Sequence, residues 1–212
     1  MEEVFPFVLF YMFGVPVRNT VAATWVTMLI IIGIVLLLRR KLPMLLVMVV
    51  EFLRAQISAV VDGQNPDPYI PFLGTLLIFL LIANNIGIVP MLVTPTLDIN
   101  TPLAAAILVF FAVHIFGFQQ KGVVGYLKEQ ATPMIVLDVI GQFSRTLSLS
   151  LRLFGNILAT EMIVAVIYRL VGPIAPLPMI VLGLVTGILQ AYIFMVLAIA
   201  AIAAAVRLRP AA

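Results

Sequence analysis

Apolar residues fall in long runs separated by short polar clusters. At roughly 17 to 25 residues, and about 1.5 Å of rise per helical residue, several runs are long enough to cross a hydrocarbon core of about 30 Å. The first predicted span extends from Val21 to Leu38 and stops at Arg39, Arg40 and Lys41. The stretch from Met44 to Val61 differs, because Glu51, Arg54, Gln56 and Ser58 interrupt it. That pattern predicts an amphipathic helix at the membrane interface, with a short buried hairpin as the alternative. The breakers of DGQNPDPYIP close this unit, and the next spans run from Tyr69 to Val93 and from Leu103 to Phe118. From Met134 to Leu170 the pattern continues for about 37 residues, or about 55 Å of helix, so this element has to tilt or bend. Pro173, Pro176 and Pro178 mark a turn before a last helix from Met179 to Val206.

The strand alternation of a membrane barrel is absent. The predicted fold class is therefore an all-α integral membrane protein, with about five membrane helices plus one interfacial amphipathic helix and the last two long and tilted as a hairpin. No linker, composition shift or internal repeat divides the chain, which predicts a single membrane domain over residues 1–212.

Composition supports this class: 64% of the 212 residues are hydrophobic and only 10% are charged, with a mean hydropathy of +1.24. The net charge of +3 comes from twelve scattered basic residues that form no patch with interleaved aromatics, so no nucleic-acid partner is expected. Cysteine is absent and His114 stands alone, which removes thiolate and histidine-cluster metal sites; no cofactor is implied. The start, MEEVFPFVLF, is acidic where a secretory signal is basic, so it is expected to remain in the mature chain.

One charge stands out from this pattern. Arg152 lies in LSLSLRLFGNILATEMIVAVI, where its neighbours read as buried in lipid. A guanidinium cannot deprotonate, so at that depth it requires a protein partner, a carboxylate or water. Asp138, Gln142, Arg145, Ser148, Arg152 and Asn156 follow one another at spacings of four, three, three, four and four, near one helical face. Glu161, nine residues beyond Arg152, falls about 180° round the helix. A carboxylate on each side of an arginine, on different faces, suggests two separate aqueous paths. Snorkelling is the alternative for Arg145, a backbone bond for Ser148, and helix-to-helix bonding for Gln190, Asn84, Asn85 and Asn100. His114 is expected to pack or to bond a carbonyl.

The segments SRTLSLSLRLFGNILATEMI, LQAYIFMVLAI and PTLDIN resemble, in order and spacing, signatures of subunit a of the rotary F-type ATP synthase. That resemblance implies a stator, not catalytic alone, beside a ring of hairpin subunits (the c-ring) that each carry a membrane carboxylate. It also implies peripheral-stalk subunit b and the remaining ATP synthase subunits as partners, and transported H+ or Na+. Arg152 matches the family's essential arginine. Asn156, Glu161 and Gln190 match polar residues of the ion pathway, and Asp138 stands where a glutamate is usual. Asn84, Asp98 and Asn100 match positions on or near the external access path, and Gln142 and Arg145 join the candidate pathway from the polar stripe. Gly183 is a departure, standing where some bacterial members carry a relay histidine. A secondary transporter or channel with an intramembrane arginine site is the alternative; a passive membrane anchor leaves the polar stripe unexplained.

Basic clusters set the expected orientation: Arg39 to Lys41, Lys121 with Lys128, and Arg207 with Arg209 belong on the cytoplasmic side, and the Asp98 loop, which lacks a basic residue, outside. The expected location is the bacterial inner membrane, N-terminus outside and C-terminus cytoplasmic. Single cysteines introduced into the cysteine-free chain test this. One in the Asp98 loop should react with an impermeant thiol reagent added from the outside, and labelling from the cytoplasm alone would refute the orientation.

Overall fold

The computed structural model describes residues 8–12, 15–61, 65–89, 92–130 and 135–206; the side chains of 9, 10, 12, 15, 16, 123–130, 135–139 and 142 are outside that description. Six helices make up the body: α1 (Asn19–Lys41), α2 (Pro43–Ser58), α3 (Ile70–Asn85), α4 (Asn100–Gln130), α5 (Ile135–Val171) and α6 (Leu177–Val206). Five contain stretches long and apolar enough to cross a membrane, and α2 is the exception. This is the all-α membrane fold expected from the hydropathy pattern. A short antiparallel hairpin, β1 (Val8–Met12) with β2 (Val15–Arg18), leads directly into α1. Apart from Arg18, both strands fall within the apolar run over residues 4–17, which shows no alternation of polar and apolar positions, so the pattern does not announce them.

The core lies where α3, α4 and α6 meet. Leu73, Leu80 and Ala83 of α3, Ala106 and Val113 of α4, and Ala191, Phe194, Met195 and Ala198 of α6 are almost completely buried. Lipid offers no hydrophobic drive for helices to associate, so close packing has to hold them together; small residues permit it. The alanine-rich end of α6, with Ala201, Ile202, Ala203 and Val206 buried, provides such a surface.

Helix α2 is a single helix rather than a hairpin. It buries Leu53 and Ile57 against the core and leaves Met44, Leu45, Met48 and Phe52 exposed. Leu53 fits because residue 74 is a glycine: a Cβ there would lie 3.0 Å from Leu53 Cδ1. Two polar contacts fix the helix, Tyr192 Oη donating to Gln56 Oε1 at 3.2 Å and Arg54 Nη2 pairing with Asp67 Oδ1 at 2.7 Å.

Two helix ends fall away from the hydropathy reading, each for a local reason, and the end of α5 falls within one residue of the expected Leu170. The crossing expected from Tyr69 to Val93 stops being α-helical at Asn85; a 3-10 turn over Ile86–Ile88 follows, and Val89 is extended at φ −77°, ψ 120°. Val89 precedes Pro90, whose ring disfavours helix at the preceding residue. Helix α4 runs past the expected end at Phe118 but breaks at Gly122 (φ 70°, ψ 158°), a conformation open to glycine and costly for other residues. Helix α5 ends just before Gly172, whose φ of 106° turns the chain towards α6 while its N–H still bonds the Tyr168 carbonyl at 3.1 Å. The side chains of Lys128 and Glu129, together with Arg207 and Arg209, lie outside the described set.

The connection from α3 to α4 is pinned by Asp98, whose carboxylate is buried. Its Oδ2 pairs with Arg18 Nη1 and accepts from Thr20 Oγ1, both at 3.1 Å. Its Oδ1 accepts from the Asn100 backbone N–H at 3.1 Å and from Asn100 Nδ2 at 2.8 Å, capping the start of α4. Four donors on one carboxylate tie the end of β2, the start of α1 and the start of α4 together. In Asp98→Ala these donors lose their acceptor, so the clamp should weaken by about 1–3 kcal/mol. Amide hydrogen exchange over 97–101 should then speed by roughly tenfold to a hundredfold, and unchanged exchange would show that the clamp does not hold the loop.

Candidate functional site

Helix α5 is long and apolar enough to cross a membrane, yet it is patterned like an amphipathic helix facing water, with its apolar stripe inward and polar residues outward. Leu149, Leu153 and Ile157, spaced four apart, are buried against the bundle, whereas Arg145, Ser148 and Arg152 are exposed on the outer face. Among the described residues Arg152 makes neither a hydrogen bond nor an ion pair. Asp138 and Gln142 lie on the backbone of the same helix, and their side chains are outside the description.

Asn156, one turn beyond Arg152, points inward instead. Its Nδ2 donates to Gln190 Oε1 on α6 at 3.2 Å. Gln190 is buried, and its Nε2 has no protein partner. A further turn along α5, Glu161 faces a cavity of about 130 Å3 whose lining includes Asn84, Asn85, Thr94, Thr160 and Gly183. Thr94 Oγ1 donates to Glu161 Oε1 at 3.3 Å. Asn84 Nδ2 donates to the Gly187 carbonyl at 3.1 Å and Asn85 Nδ2 to that of Leu81 at 2.7 Å, leaving both amide oxygens buried without a partner among the described residues. Unpaired amide oxygens at a polar cavity call for water, and the cavity is roomy enough to hold it.

Two environments thus occupy one helix: an outward-facing cation at Arg152, and a carboxylate at Glu161 about 14 Å further along, set in a polar cavity. Asn84, Asn156, Glu161 and Gln190 come together around this inner region. Asp98 and Asn100 do not line the cavity; they hold the loop that carries Thr94. His114 Nδ1 bonds the Phe110 carbonyl at 2.8 Å within its own helix. Thr94 and Thr160 carried no signal in the sequence, since one is a loop threonine and the other a threonine in an apolar helix.

Residues 21–202, which include every residue of this region, match the family model described as ATP synthase A chain. The chain belongs to that family. It is 43% identical over 211 positions to a protein of Picosynechococcus sp. named ATP synthase subunit a 2, covering 93% of this chain and 90% of the relative. A Bradyrhizobium sp. protein of the same name is 39% identical, covering 93% of each chain. ATP synthase subunit a 1 of Chlorobaculum parvum is 38% identical, covering 90% of this chain and 89% of the relative. As a family member the chain is a multi-pass membrane protein that translocates ions within a rotary ATP synthase and is not catalytic by itself.

Gly183 shows how tightly the cavity wall is built. A Cβ at this position would come 2.6 Å from Thr160 Cγ2, so the space a larger side chain would need is already taken by Thr160. Gly183→Ala should therefore destabilise the assembled subunit by about 1–3 kcal/mol through overpacking. Thr160→Ser, which removes the obstructing methyl, should restore most of that loss. Thermal denaturation of the purified complex measures both, and an equal loss with and without the serine would place the strain elsewhere.

Proposed function

We propose that the chain is the stator side of an ion path made of two offset half-channels, and that Arg152 lies between them facing a ring of carboxylate-bearing helices. The observation that carries this reading is the outward guanidinium of Arg152, unpaired among the described residues, on a membrane-length helix whose opposite side holds the Glu161 cavity. An arginine at the centre of a membrane helix costs about 3 kcal/mol on insertion scales and more on an isolated helix, so lipid is a poor neighbour for it. A ring of subunits with membrane carboxylates provides both a counter-ion and cover for this face.

The proposed sequence of events uses one ring carboxylate at a time. An ion entering from the outside passes the Glu161 cavity, bordered by Asn84 with Asn156 and Gln190 behind it, and neutralises the carboxylate. The neutral group can then leave the polar interface for lipid, because its desolvation cost has fallen. On reaching the second half-channel, bordered by Asp138 with Gln142 and Arg145, it releases the ion to the cytoplasm. Arg152 stays cationic throughout, favours the charged carboxylate opposite it and blocks direct leakage between the paths. A membrane potential supplies about 2.3 kcal/mol per charge per 100 mV, so several ions have to pass for each ATP made elsewhere in the complex. The same reading assigns Asp98 and Asn100 to the external mouth, the c-ring and peripheral-stalk subunit b to the neighbouring surfaces, H+ or Na+ to the path, and the N-terminus to the outside of a bacterial plasma membrane.

Arg152→Ala should abolish ion-driven ATP synthesis while the subunit still inserts and assembles, and Arg152→Lys should be a poor replacement because an ammonium lacks the planar fork and can deprotonate. Glu161→Gln should slow transfer from the external side with a smaller loss than Arg152→Ala. Reconstituted complexes energised by an imposed ion gradient provide the measurement, with subunit content checked by immunoblot. Normal synthesis in the alanine variant would overturn the reading.

A further inference from the structure

We propose that Thr94 is a positioning residue for the Glu161 carboxylate, and that Gly87 is a glycine because any side chain there would displace the Thr94 hydroxyl. The proposal rests on the reading that Glu161 passes ions, and adds to it a role for the external loop.

A glutamate has three side-chain torsions, and a partly buried one facing a cavity can swing unless something fixes it. Among the described residues, the one side-chain hydrogen bond to Glu161 comes from Thr94, which reaches it across 67 residues of chain. Thr94 is itself held rigidly. It is 2% exposed and precedes Pro95, which favours the extended backbone it adopts at φ −66°, ψ 116°. Its carbonyl accepts the Leu97 N–H at 3.1 Å, starting the turn over Pro95–Leu97, and that turn ends on the Asp98 clamp with Arg18, Thr20 and Asn100. A hydroxyl fixed in this way holds Oε1 and leaves Oε2 without a hydrogen bond among the described residues.

Gly87 completes the arrangement. A Cβ built there would overlap Thr94 Oγ1 and stand 3.1 Å from Glu161 Oε1. The 3-10 turn over Ile86–Ile88, where α3 stops being α-helical, brings the backbone of residue 87 against this pair. Early termination of α3, the clamped loop and the missing side chain at 87 thus converge on a single hydrogen bond to Glu161.

The test uses the whole ATP synthase in proteoliposomes, with ATP synthesis driven by imposed H+ and Na+ gradients separately. Thr94→Val keeps the shape and removes the donor; it should lower the rate roughly tenfold with normal subunit content, as misplacing a reacting group commonly does. Thr94→Ser, which restores the hydroxyl, should stay within about twofold of the unmodified complex, and Gly87→Ala should lower the rate as Thr94→Val does. The decisive measurement is the pair with Glu161→Gln: if Thr94 acts through Glu161, Thr94→Val should cost less than about twofold in that background. A Thr94→Val rate equal to the unmodified one, or a full tenfold loss added on top of Glu161→Gln, would overturn the proposal. If Thr94→Val does not assemble, Thr94→Ser and Gly87→Ala decide it, a rate equal to the unmodified one in Gly87→Ala counting against. A Glu161→Gln complex as fast as the unmodified one would overturn the underlying reading of Glu161 instead, a separate outcome.

Discussion

A charged group that cannot shed its charge, placed on the outer face of a membrane helix, constrains everything around it. Arg152 is exposed, unpaired among the described residues and borne by a helix long enough to cross the bilayer. Hydrocarbon does not solvate a guanidinium, and no described side chain of the bundle pairs with it. The apolar face of α5, with Leu149, Leu153 and Ile157, is directed into the chain's own core and holds the helix in place. The polar face is thereby left for something outside the chain. Membership of a family of ATP synthase subunits agrees with a surface that is incomplete alone.

The polar cavity obeys the same rule from the inside. A carboxylate at Glu161 and amide oxygens at Asn84 and Asn85 are held within the membrane body with few protein partners, which is tolerable where water can reach them. Their fixed geometry comes from backbone departures rather than from regular helix. Helix α3 gives way at Asn85, the chain doubles back through Thr94, and the buried Asp98 carboxylate locks that return against α1 and α4. This irregular backbone lines the polar cavity through Gly87, Ile88 and Thr94, where water can satisfy the groups that regular helix would have paired.

Packing and chemistry divide along the helices. The alanine-rich part of α6 and the small residues of α3 and α4 build a tight core, where close approach replaces the missing hydrophobic drive. The other part of α6 carries Gly183 and Gly187 close against Thr160 on α5 and Asn85 on α3. Gln190 stands where the two meet, buried yet with one amide hydrogen-bonding group unsatisfied by protein.

The sequence by itself determined the class, the number of membrane helices, the separate character of α2 and the anomaly of Arg152, because each follows from hydropathy and periodicity along one dimension. Helical spacing also separated Arg152 from Glu161, since a wheel depends only on the rise and turn of a single element. Tertiary structure alone decided that Asp98 closes a four-donor clamp and that Thr94 meets Glu161 across 67 residues of chain. It also decided that Thr160 fills the space beside Gly183. Those contacts join residues on different helices and loops, and no periodicity within one segment encodes a distance between two. A loop threonine and a glycine look ordinary in the chain, and they gain meaning only when packing brings a carboxylate within reach.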